Sequence, residues 1–175
     1  MIIVLIGYMA SGKTSLGKKL AKKLNYDFID LDDFIEEKEK SSVSEVFKTK
    51  GEIYFRKQEC FYLKELLEDN SNIILSVGGG TPCYSNNMEL ILNAADVTSI
   101  YLKASISTLA SKLIKKKAKR PLIAHIETEE AMEEFIGKHL FERIPFYSQA
   151  EIKVIVDDKT KDDIVEDIIL ELYHL

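Results

Sequence analysis

The chain opens on an unbroken apolar run, Ile2-Ile3-Val4-Leu5-Ile6, and then changes period: Leu16, Leu20 and Leu24 recur every four residues with lysines between them. A short continuous apolar run is the pattern of a strand buried on both faces, and a four-residue recurrence is the stripe of an amphipathic helix. The alternation continues along the chain. Asp27–Leu31 reads as a short strand, and Asp32–Lys40 as a helix whose acidic start suits its N-terminal dipole. Ser42–Phe47 begins another helix that Gly51 breaks, and helical spacing resumes over Glu52–Glu68 through Ile53, Phe55, Cys60, Leu63 and Leu67. Asn72–Val77 predicts a third strand, ended by Gly78-Gly79-Gly80, where the backbone must bend sharply or pass close to another group. A helix over Asn86–Ala95, a strand over Thr98–Leu102 and a helix from about Ser105 follow. Glu129–Leu140 is then helical and leads into Phe141–Pro145, and the chain closes with a strand over Ile152–Val156 and an amphipathic helix over Asp162–Leu172.

Apolar strands alternating with helices, without an internal repeat, predict an α/β fold of three layers: a five-stranded parallel sheet between two layers of helices. The length of 175 residues suits one domain, residues 1–175. Within it, Lys115-Lys116-Lys117-Ala118-Lys119-Arg120-Pro121 combines charge with a proline, so a segment from about 115 to 126 is expected to be a mobile lid with few apolar anchors. In parallel sheets of this kind ligands bind outside the carboxyl ends of the strands.

Composition narrows the partners. At 46% hydrophobic and 30% charged residues the chain is an ordinary soluble globule, and its net charge of −5 argues against nucleic acid as a partner. No apolar run is long enough to cross a bilayer, and Met1–Met9 lacks the basic flank of a signal peptide, so no membrane partner and a cytoplasmic location are expected. Cys60 and Cys83 show neither metal-ligand nor disulfide spacing, and the scattered His125, His139 and His174 read as surface or lid polar residues. No helix face is left obviously uncovered, so a monomer is expected.

The candidate chemistry begins directly behind the first strand. Gly7-Tyr8-Met9-Ala10-Ser11-Gly12-Lys13-Thr14 fits the G-x-x-x-x-G-K-[ST] phosphate-binding loop, whose backbone amides and following helix N-terminus converge on an anion. Lys13 would reach the β- and γ-phosphates and Thr14 would ligate Mg²⁺. A mere glycine turn between strand and helix has no use for Lys-Thr at its end. Asp30-Leu31-Asp32 puts two carboxylates at a strand end, pointing to opposite sides while the chain is extended. One could hold a water on Mg²⁺ beside Thr14 while the other accepts a hydrogen bond from an attacking hydroxyl; the alternative is a helix N-cap cluster at Asp32-Asp33. Arg56 likewise has a plain alternative, pairing with Glu52 or Glu59 on its own helix.

Taken together, GYMASGKTSLGKKLAKKL, FIDLDDFIEE, SVSEVFKTKGEIYFRKQE, ILSVGGGTP, KRPLI and ERIPFYSQAEIKV resemble the shikimate kinases, small relatives of the nucleoside monophosphate kinases, nearly end to end. The resemblance implies a phosphate-loop NTPase fold and ATP-dependent phosphorylation of the 3-hydroxyl of shikimate, a step toward chorismate and the aromatic amino acids. It implies that Ala10, Ser11, Gly12, Lys13, Thr14 and Ser15 cradle the nucleotide phosphates, with Arg120 closing on them from the lid. It places Asp30, with Thr14, at Mg²⁺, and assigns Asp32 to the shikimate hydroxyls. It assigns Arg56 and Arg143 to the substrate carboxylate, and Gly78, Gly79 and Gly80 to the wall behind it. Two planar guanidinium forks suit a small carboxylate better than lysines would. Lys13, Asp32 and Arg120 are the catalytic set the resemblance implies. This sequence departs from the family pattern at Ala10, where glycine is usual and little effect is expected. It departs again around Lys112 and Lys115, where an arginine often stacks on the purine. Two readings compete: a kinase of another small substrate, such as gluconate or a nucleoside monophosphate, and a nucleotide-binding regulatory protein without turnover.

Overall fold

A sheet of five parallel strands, β1 (Ile2–Ile6), β2 (Asp27–Asp30), β3 (Ile73–Ser76), β4 (Val97–Lys103) and β5 (Ile152–Ile155), has the order β2-β3-β1-β4-β5. Seven α-helices flank it among the described residues: α1 (Lys13–Leu24), α2 (Leu31–Glu39), α3 (Val43–Leu67), α4 (Asn87–Asn93), α5 (Ile106–Ile114), α6 (Glu129–Tyr147) and α7 (Lys161–Tyr173). The computed structural model describes residues 1–69, 72–116 and 122–174.

Burial explains the strand patterns. Every residue of β1 and β3 is buried, as continuous apolar runs in the middle of a covered sheet require. The edge strand β5 alternates buried Ile152 and Val154 with exposed Lys153 and Ile155. Because β1 pairs with β3 on one side and β4 on the other, the strand order reverses beside β1, and a crevice opens at its carboxyl end. The phosphate loop fills that point.

Two local devices aim the chain at this crevice. Gly51 breaks α3 with φ 83° and ψ 168°, a backbone conformation that side chains other than glycine rarely tolerate. The Glu39 carboxylate bridges the break: Lys50 donates to it at 2.9 Å, Tyr54 at 2.9 Å and Tyr62 at 3.0 Å, so α2 is tied to both limbs of α3. These bonds, led by that from Lys50, hold its pKa below the ordinary carboxylate range. The limb carrying Arg56 is thereby held at a set angle.

Two expectations are corrected. Strand β2 stops at Asp30 and α2 begins at Leu31, so the N-cap is Asp30, whose Oδ1 accepts from the Asp32 amide at 3.2 Å. Helix α6 does not stop at Leu140 but continues through Pro145 to Tyr147. A proline so near the end forfeits a single backbone bond, and the burial of Leu140 and Tyr147 holds the last turns in place. The few apolar residues of the expected lid include Ile123 and Ile126 at its far end, both buried in the core. Residues 117–121 of that lid lie outside the described residues.

Candidate active site

The phosphate loop ends at Gly12, the N-cap of α1, whose φ of 105° sets a left-handed turn. No side chain caps α1 and no acidic residue stands in its first turn, whereas Asp30, Ser42, Ser105, Thr128 and Thr160 cap α2, α3, α5, α6 and α7. The N-terminal amides of α1 therefore keep their dipole for an external anion. Lys13 Nζ folds over the loop, donating to Gly7 O at 2.7 Å and Tyr8 O at 3.1 Å. Ser11 is buried, and its amide donates to Tyr8 O at 3.1 Å. Ala10 stands at φ 65°, a conformation that costs an L-residue about 1–2 kcal/mol, so the methyl there is tolerated under strain.

Thr14 Oγ1 donates to Asp30 Oδ2 at 3.2 Å, placing two hard oxygen ligands at the mouth of the loop. Among the described residues no group of three or more His, Cys, Asp or Glu side chains is arranged to hold a metal. This donor set fits Mg²⁺, which keeps several waters and takes its other oxygens from phosphates, and does not fit a metal needing an all-protein cage. Asp32 lies in the first turn of α2 and lines the same groove as Asp30, with Asp30 turned to Thr14 and Asp32 beside Gly78. The chain is already helical at Leu31. Burial first, then the nearby Asp30 and Glu59 charges, push the Asp32 carboxyl up from 3.8 to about 6, against the opposing pull of Lys13.

The three glycines each face a different charged side chain. A Cβ on Gly78 would stand 3.5 Å from Asp32 Oδ1, one on Gly79 3.5 Å from Arg143 Nη1, and one on Gly80 3.4 Å from Arg56 Nη2. A Cβ would meet those groups at ordinary contact distance and would crowd Thr81 Oγ1 at Gly78, at 3.0 Å, and the Tyr84 ring at Gly80, at 3.2 Å. Arg143 comes from α6, and four residues later Tyr147 donates to Gly79 O at 2.5 Å, pinning the wall. Arg56 comes from α3 with its guanidinium 3.7 Å from the centre of the Tyr84 ring and within reach of Phe47 and Phe55. Its helix partners, offered as an alternative to a site role, are present as well. Nη1 donates to buried Glu59 at 3.0 Å, while Glu52 lies 3.5 Å from Nε without the angle of a hydrogen bond. Nε is left as a buried donor without a hydrogen-bond partner among the described residues. The nearby Glu52 carboxylate offsets its charge without satisfying the donor.

The structure thus gathers Ala10 to Ser15, Asp30, Asp32, Gly78 and Gly79 along one open groove of about 720 Å³, with Arg56, Gly80 and Arg143 against the glycine wall. Arg120 lies outside the described residues. Lys112, Lys116, Lys159 and Lys161 line the outer end of the groove. Sequence reasoning assigned no site role to Glu59, whose second oxygen accepts from Thr81 Oγ1 at 2.7 Å and ties the Arg56 limb to the glycine turn. It also missed Tyr84, and it misplaced His139, which is half-buried and hydrogen-bonded to Tyr8 of the phosphate loop. Burial, and secondarily Arg143, hold the His139 pKa below its usual value. A separate pocket of about 460 Å³ at the amino ends of β1 and β4, bordered by Met1, Lys64, Glu68 and Asp96, holds none of these groups.

A phosphate loop on a five-stranded parallel sheet, with an acid pair at its mouth and two arginines against a glycine wall, is the arrangement of a phosphate-loop kinase. Comparison with known proteins narrows the class. The shikimate kinase family model matches residues 9–173. The chain is 50% identical over 167 residues to the shikimate kinase of Flavobacterium johnsoniae, covering 95% of this chain and 96% of that one. It superposes on the crystal structure of shikimate kinase from Bacteroides thetaiotaomicron with a TM-score of 0.88 and 36% identity, covering 100% and 99% of the two chains. Shikimate kinase from Acinetobacter baumannii in complex with shikimate gives a TM-score of 0.85 and 26% identity, over 99% of this chain and 93% of that one. The chain belongs to the shikimate kinase family, and it is a kinase.

Proposed function

We propose that the chain transfers the γ-phosphoryl of ATP to the 3-hydroxyl of shikimate, giving shikimate 3-phosphate, with Mg²⁺ held by Thr14 and, through water, by Asp30. The observation that carries this reading is the delivery of Arg56 and Arg143, from separate helices, to adjacent glycines of one wall with Asp32 at the next. A small hydroxy-acid meets two guanidinium groups at its carboxylate and one carboxylate at its hydroxyls, which fixes its orientation.

Transfer passes through a loose, metaphosphate-like arrangement, so alignment and charge neutralisation matter more than a strong base. Lys13 leaves the Gly7 and Tyr8 carbonyls for the phosphate oxygens, and the uncapped amides of α1 hold the phosphates in place. Thr14 and Asp30 would hold Mg²⁺, which would supply charge neutralisation at the phosphates when bound. Asp32, with its pKa near 6, is mostly ionised at pH 7 and accepts the hydrogen bond of the attacking hydroxyl. Arg120 closes on the phosphates from the 115–126 lid. The free Cys60 and Cys83 suit a cytoplasmic enzyme, and action as a monomer is part of the proposal.

The test is ADP release with and without shikimate, alongside gluconate and nucleoside monophosphates as acceptors. ATP turnover that requires shikimate is expected. Equal turnover with gluconate or a nucleotide acceptor, or none with any acceptor, would overturn the reading.

A further inference from the structure

Tyr8, His139 and Arg143 form a chain of contacts that the reaction above does not use. Tyr8, the second residue of the phosphate loop, is only 1% exposed, so its side chain is a fixed strut from the loop into the protein. Its Oη and His139 Nδ1 are hydrogen-bonded at 3.0 Å, and the two rings meet edge to face. One turn further along α6 the Arg143 guanidinium lies over the Tyr8 ring, 5.5 Å from its centre. One turn beyond that, Tyr147 holds Gly79 O. Positions 139, 143 and 147 share a single helix face, and Phe135, one turn earlier, packs on the His139 ring at 4.4 Å. A phenol buried away from the groove does nothing for phosphates directly. What it provides is a shelf for a cation, anchored by the histidine. The low His139 pKa keeps the imidazole neutral at pH 7 and avoids a second cation beside Arg143, while the Tyr8 phenol, pushed up to about 12, keeps its proton.

We propose that His139 is a positioning residue: by hydrogen-bonding Tyr8 it locks the ring on which Arg143 rests, and so couples the phosphate loop to the arginine that grips the substrate carboxylate. The proposal rests on the carboxylate role given to Arg143 above, and a double-mutant cycle separates the two. His139→Ala is expected to raise the KM for shikimate about 5- to 10-fold, the scale of one net hydrogen bond, with kcat changed less than about twofold. Tyr8→Phe, which keeps the shelf and the packing, carries the same test should His139→Ala fold poorly. In an Arg143→Gln background either substitution is expected to leave the shikimate KM unchanged, because the group it positions is gone. His139→Asn, whose amide reaches the place of Nδ1, is expected to restore most of the loss. An equal rise in both backgrounds would mean a general packing role and would overturn the proposal, as would an unchanged KM in Tyr8→Phe and His139→Ala alike. If Arg143→Gln by itself leaves the shikimate KM untouched, the carboxylate assignment falls first and this proposal with it.

Discussion

Replacing Asp32 by asparagine should damage activity and strengthen the fold at the same time. In the native chain burial and the neighbouring Asp30 and Glu59 raise this carboxyl from 3.8 to about 6. Below about pH 4 the group is protonated both folded and unfolded and contributes nothing either way. Between about pH 4 and 6 the unfolded chain gives up its proton while the folded one keeps it, so stability falls as pH rises. Above about pH 6 both are ionised and the penalty is complete. A gap of about 2 pH units at about 1.36 kcal/mol each gives about 3 kcal/mol held against the fold at pH 7. Asp32→Asn removes the charge with little change in volume, so urea unfolding at pH 7 should show a gain of about 1–3 kcal/mol that shrinks toward zero near pH 4. Turnover should drop by at least about 10²-fold, since the hydroxyl loses its ionised acceptor. In the wild type, kcat/KM should fall as pH drops through about 6. A stability difference that stays the same between pH 4 and pH 7, or a variant less stable than wild type at pH 7, would refute the account of Asp32 as a strained, functional carboxylate.

Lys13→Ala should lower kcat by at least about 10²-fold in a chain whose circular dichroism melt is unchanged, because its ammonium, held over the loop by the Gly7 and Tyr8 carbonyls, is the group that meets the transferred charge. Asp30→Asn should raise the Mg²⁺ concentration needed for half-maximal rate before it lowers kcat, and a Mg²⁺ profile identical to that of Asp32→Asn would show the roles to be misassigned. Arg56→Lys and Arg143→Lys should each weaken shikimate binding by about 1.5–3 kcal/mol in calorimetry while ATP affinity holds. The double variant should lose less than the sum, since both forks share one small anion.

The parts of this protein legible from residues alone were those governed by local spacing. Continuous apolar runs marked β1 and β3 because a strand covered on both faces admits few polar side chains, and Gly7 to Thr14 stated its phosphate loop because that loop's geometry and its contacts are made within eight consecutive residues. Gly51 announced the break in α3 for the same local reason. The boundaries of α2 and α6 were less legible: Asp30 rather than Asp32 caps α2, and packing of Leu140 and Tyr147 carries α6 past a proline. Interactions between distant segments left little trace in the pattern. Glu59 looked like an ordinary helix partner of Arg56 until Thr81 was found on its other oxygen, and His139 looked like a scattered polar residue until the folding of α6 against the phosphate loop brought it to Tyr8. The partners in those bonds lie 22 and 131 residues apart, and no local period records which helix face meets which loop. The raised Asp32 pKa has largely the same origin: the Asp30 charge is a near neighbour in the chain, but burial and the field of Glu59 exist only once α3 closes over the start of α2.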